Sequence, residues 1–232
     1  MTKVCTKVTL AVLATLLFLS AMPQPAAAGE VIDRIVATVN GHIILQSDLN
    51  DALRFEALLS ARSVSQFDDD DRRTVLDRLI DQELLAEQMK SALFRHASED
   101  EASVQIAEAR KLYPEAADVE GWQAVLARFE ITEKALTTHV QQEIDLMRLV
   151  DAHLRPTVQI DSKSIEAYYR DKFVPQLKQS GADDVPLAEV SGKIRELLTQ
   201  EKVSELMVTW LQSLRSESKV IVPGSAEGVQ AR

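Results

Sequence analysis

The sequence predicts a mainly α, multi-helix fold with a small antiparallel β-sheet made from an N-terminal hairpin and a C-terminal strand. Three observations carry this. Glycine and proline number seven each in 232 residues and aromatics are 5%, so few residues oppose helix propagation. Apolar residues at Leu136, Val140, Ile144, Met147, Val150 and Leu154 step by four, four, three, three and four, which is one face of a helix of about six turns. Asn40-Gly41, flanked by β-branched residues, is the pair that a type I′ hairpin turn favours, because both central residues take positive φ.

The first 28 residues read as a cleavable signal peptide rather than part of the fold. Lys3 and Lys7 precede an apolar run over 8–19, and Ala26-Ala27-Ala28 offers small residues for cleavage before Gly29. The run is short for a membrane span; the alternative is an uncleaved anchor. Cleavage would take 28 of the 232 residues and leave 204 without a thiol, since the one cysteine is Cys5. Disulfides and a thiolate nucleophile are then excluded, a pattern that suits a bacterial periplasm or exterior better than a eukaryotic secreted domain.

Residues 31–45 form the hairpin, which needs a further partner because two strands alone are marginal. Ser47 is placed to cap a helix over 48–60. The acidic run Asp68 to Asp71 opens the next helix, where negative charge meets the positive end of the dipole. Leu76, Leu79, Ile80, Leu84 and Met89 supply its core stripe. Ser98-Glu99-Asp100-Glu101 is a capping box, opening a helix that ends near Tyr113. A short helix spans 119–129, and Thr132 caps the long helix that Pro156 stops. Asp161 or Ser162 caps another helix, running to about Phe173. Residues 174–185, with Pro175 and Gly181, read as a linker. The last helix, over 187–215, is about 40 Å long and carries Val190, Ile194, Leu197, Val203, Met207, Trp210 and Leu214. Val220-Ile221-Val222 is the expected third strand, and 223–232 a flexible polar tail. The organisation is thus one domain over 29–222, with the last helix closing a single core and Trp210 as a buried anchor.

The net charge of −10 excludes the basic footprint of a nucleic-acid binder and disfavours docking on anionic lipid. No catalytic constellation, phosphate loop, HExxH or GxSxG motif occurs, so neither a catalytic group nor a cofactor is expected. His42, His96, His139 and His153 read as surface or satisfied side chains. His139 and His153 lie about 21 Å apart along one helix and cannot share a metal. What remains is apolar helical surface. Trp122, Phe129, Tyr168, Tyr169 and Phe173 are either core or part of a groove that accepts apolar segments of another chain.

Residues 31–49, VIDRIVATVNGHIILQSDL, closely resemble the opening of SurA-type periplasmic chaperones, a hairpin that leads into a helix. Residues 76–88, LDRLIDQELLAEQ, resemble that family's next helix, and 158–173, VQIDSKSIEAYYRDKF, a later segment. In SurA-like chains one or two parvulin isomerase domains then follow. Here about a dozen residues separate Phe173 from a segment, 186–222, that resembles the part returning to complete the chaperone domain. The resemblance implies an ATP-independent holdase of the periplasm for unfolded secreted or outer-membrane polypeptides, without prolyl isomerase activity or membrane insertion. The alternative is a structural or adaptor protein that binds one envelope partner or forms a homodimer, exchanging the last helix and strand through 174–185.

Overall fold

The computed structural model describes residues 33–90, 95–181 and 183–223. The expected leader at 1–28 and the tail beyond Pro223 lie outside them. Strand β1 (Ile35–Val39) turns through Asn40 and Gly41, at φ +49° and +92°, into β2 (His42–Leu45). The C-terminal strand β3 (Val220–Ile221) pairs antiparallel with the free edge of β1, so the order is β2-β1-β3. Thr38 lies opposite Ile43 on one side and Ile221 on the other. Asn40 ties the turn to distant parts of the chain. Its amide oxygen accepts from the Lys219 N–H at 2.8 Å, and its Nδ2 donates to Glu87 at 2.7 Å and to Ser218 at 3.1 Å. An aspartate would tolerate the left-handed backbone but could not donate those two bonds.

Eight α-helices are described: α1 (Gln46–Leu59), α2 (Asp69–Met89), α3 (Glu99–Arg110), α4 (Val119–Arg128), α5 (Glu133–Leu154), α6 (Ser162–Tyr168), α7 (Val174–Ser180) and α8 (Leu187–Glu217). Most starts are the expected ones. Asp68 accepts from the N–H groups of Asp70 and Asp71, Ser98 from Glu101, Thr132 from Ala135 and Asp161 from Ser164. Ser47 is not a cap. Helix α1 begins at Gln46, two residues before the expected start at 48, and Asp33 from before the hairpin accepts both the Ser47 N–H and its hydroxyl. Gly121 in α4 is a close approach: a Cβ there would fall 1.9 Å from the Glu115 carbonyl oxygen.

The main core lies between the sheet and helices α1, α2, α4 and α5, with Val39, Leu53, Leu58, Ile80, Leu84, Leu126, Leu136 and Val140 fully buried. The C-terminal half of α8 joins it through Val203 and Leu214, and Arg215 donates to Asp81 at 2.6 Å and to the Asp77 carbonyl at 2.9 Å. The N-terminal half of α8 packs elsewhere. Val190 and Ile194 join Ile165 in a second, smaller apolar cluster. The long helix therefore spans two clusters where one core was expected. Trp210 is only partly buried; it stacks on His153 with ring centroids 4.2 Å apart.

The stretch read as a linker is largely helical. After α6 a π turn (Tyr169–Phe173) leads directly into α7, and the chain leaves helix only at Gly181, φ +70°. Pro175 is tolerated because it sits in the first turn of α7, and the widened turn before it relieves the crowding a proline imposes on the residue four back. Gly181 ends the helix in the left-handed conformation that glycine adopts without strain.

Candidate functional site

Helix α5 shows where the surface opens. Its face through Leu136, Val140, Val150 and Leu154 is buried at both ends. Met147, about midway and on the same face by the helical repeat, is 58% exposed. There α2 and α8 stand apart and leave a groove of about 830 Å³. Its apolar wall is Leu85 from α2, Ile144, Leu146, Met147 and Val150 from α5, and Val203, Met207 and Leu211 from α8. The charged rim residues Asp81, Arg148 and Asp151 are held by partners within the fold: Arg215, Glu101 and Arg155. A groove of this size, apolar inside with a polar rim, suits several side chains of an extended segment.

An adjoining face of α5 is fixed against α3 by a polar clasp. Asp145 is the one buried charged side chain among the described residues. It accepts from the Ala97 N–H at 2.7 Å and meets His96 Nδ1 at 2.7 Å, while Gln141 donates to the Ala97 carbonyl at 3.0 Å. Glu101 accepts from the Ser98 N–H at 2.8 Å and from Arg95 at 2.7 Å, and also takes a bond from Arg148. The Ser98 N–H first, and then the Arg148 guanidinium, hold the Glu101 carboxyl down at about 2. This clasp sets the orientation of α5 and so what its open face presents.

A second hollow, about 370 Å³, adjoins the groove; Gln82, Glu143 and Leu146 line both. It lies between β2, α2 and α5, with His42, Asp48, Glu83, His139 and Met89 among its walls. His139 stacks on Phe55 at 4.1 Å.

The five residues singled out in the sequence do not form one surface. Trp122 and Phe129 are 3% and 6% exposed and pack around Tyr113 in the main core, so neither faces a partner. Their spacing with Val125 and Leu126, an i, i+3, i+4, i+7 set, is the pattern of a core-facing helix. Tyr168, Tyr169 and Phe173 are half-buried against the start of α8, with the Tyr169 hydroxyl donating to the Val185 carbonyl at 2.7 Å. Of the groove residues, Leu146 and Leu211 stand outside the apolar sets that the sequence singles out, whereas Met147 and Met207 lie in helix stripes that read as core. Among the described residues no helix is long and apolar enough to cross a membrane, and no three side chains are grouped to hold a metal ion.

The three-stranded sheet, the helices it leads into and the returning α8 make a mainly helical domain closed by a small antiparallel sheet. Residues 1–150 match the SurA-like N-terminal domain, and the chain belongs to that family. Chaperone SurA of Chromobacterium violaceum is 27% identical over 211 residues, which cover 86% of this chain and 45% of that protein. The chain thus spans less than half the length of this relative.

Proposed function

We propose that the protein is an ATP-independent holdase of the bacterial periplasm, which binds unfolded secreted or outer-membrane polypeptides in the groove between α2, α5 and α8 and has no prolyl isomerase activity. The observation that carries this is the open middle of α5. An exposed methionine on an otherwise core-facing stripe offers soft, adaptable apolar surface, and the groove of about 830 Å³ has room for several side chains of a chain segment. Such contact is weak and reversible, which suits holding many clients without an energy source. Tyr168, Tyr169 and Phe173 add an aromatic patch at the other end of α8. Support from kinship is the family membership and the name of the relative, Chaperone SurA.

The test is suppression of aggregation of two unrelated denatured proteins at near-equimolar ratio. The wild type should suppress both, and Met147→Asp should lose most of this while unfolding at the same temperature. A protein that leaves both clients to aggregate but retains one folded envelope partner would be an adaptor instead. A proline-limited refolding assay should show no acceleration; a rate rising with protein concentration would contradict that part of the reading.

A further inference from the structure

Carboxylates that reach between elements in this fold mostly meet an arginine. Glu56 meets Arg78 at 2.6 Å, Asp71 meets Arg62 at 2.8 Å, Glu196 meets Arg155 at 2.9 Å and Asp81 meets Arg215 at 2.6 Å. Two carboxylates in the smaller hollow differ. Glu83 on α2 has His42 at 3.6 Å, and Glu143 on α5 has His139 at 3.4 Å. Among the described residues neither forms an ion pair with a lysine or arginine. Yet the Glu83 side chain is only 19% exposed, and a carboxylate withdrawn from water gains much from a cation brought to it.

The other charges around the hollow are already engaged. Asp48 accepts from the Leu45 N–H, and Asp145 from Ala97. Arg78 and Arg148, which line the neighbouring groove, are tied to Glu56 and Glu101. The hollow is therefore an acidic socket, wide enough for one long side chain, that opens onto an apolar groove sharing its walls.

We infer that this groove selects polypeptide segments in which a lysine or arginine lies within a few residues of an apolar block, the basic side chain entering between Glu83 and Glu143 and the apolar residues lying against α5 and α8. This rests on the groove being the client site and adds to it a chemical preference. Charge complementarity identifies the occupant: an acidic segment would bring like charge to two carboxylates without lysine or arginine partners, a neutral one would leave them as they are, and a basic one supplies what the fold does not.

The experiment uses the full chain and fluorescent nonapeptides with one apolar block and a single lysine, glutamine or glutamate, placed on either side of the block. Wild-type protein should bind the better lysine peptide about tenfold more tightly than its glutamine counterpart, and the glutamate peptide most weakly. The lysine advantage should shrink in ~0.5 M salt. In the Glu83→Gln/Glu143→Gln variant the lysine and glutamine peptides should bind alike. Equal binding of lysine and glutamine peptides to the wild type would overturn the selectivity while leaving the groove in place. A lysine advantage that survives in the double variant would overturn the assignment to these two carboxylates. Failure of every peptide to bind would overturn the groove reading and this inference together.

Discussion

The two halves of α8 are one continuous helix in unlike surroundings. The C-terminal half lies in the main core, where Val203 and Leu214 are buried, Arg215 is clamped by Asp77 and Asp81, and the chain then continues into β3. The N-terminal half rests on a cluster of three buried residues, Ile165, Val190 and Ile194, with the aromatics around them only half covered. Arg155, bonded to Glu196 and Gln200, ties this half to the end of α5. The difference shows that a long helix does not distribute stability evenly along itself. Its C-terminal half should open only when the whole domain unfolds, whereas its N-terminal half can open locally.

The largest expected effect comes from the main core. Leu84→Ala should cost about 3 kcal/mol in cooperative denaturant unfolding and speed hydrogen exchange throughout the domain. Ile194→Ala removes a buried side chain from the small cluster. It should cost about 2 kcal/mol, confined to faster exchange over 165–198, while amides over 203–214 keep their protection. Uniform loss across both halves would show that the clusters unfold as one. Trp210→Ala falls below the cost of a fully buried aromatic, at about 1–2 kcal/mol, since the ring is half-covered and gives up chiefly its stacking on His153.

Acid sharpens the same comparison. The Glu101 carboxyl is held at about 2 against an ordinary 4.5. A depressed carboxyl stabilises the fold above its unfolded value, and the contribution is lost as pH falls from about 4.5 towards 2. In the small region Asp161 is lowered below its ordinary 3.8, chiefly by the Ser164 hydroxyl and also by its N–H, so its contribution is lost starting at lower pH. On acidification the clasp of α3 on α5 should therefore weaken before the cap of α6. Glu101→Gln should flatten the upper part of the acid-unfolding curve, and Asp161→Asn should change only the lower part.

Much of this architecture was legible from residue patterns, because local chemistry decided it. Asn40-Gly41 specified the turn, the β-branched run 220–222 supplied a strand for the orphan hairpin, and Ser98, Thr132 and Asp161 marked helix starts. What escaped depended on neighbours distant in sequence. Periodicity placed Met147 on the face of Leu136 and Leu154, but whether α2 and α8 cover that face is a matter of how three helices diverge. Trp122 and Phe129 were candidates for a partner surface because aromatics serve both purposes; the surrounding helices bury them. Pro175 and Gly181 suggested a linker, yet one occupies the first turn of a helix and the other ends it. Asp145 gave no sign of burial, since its partner, the Ala97 backbone, is contributed by a segment 48 residues away.

In the proposed function a client chain lies along the open middle of α5. A photo-crosslinking side chain placed at Met147, and for comparison at Val119, which is 70% exposed at the start of α4, tests it most directly. With a denatured client present, the Met147 position should capture client polypeptide and the Val119 position should not. Equal capture at both positions, or none at Met147 while aggregation is still suppressed, would contradict the account.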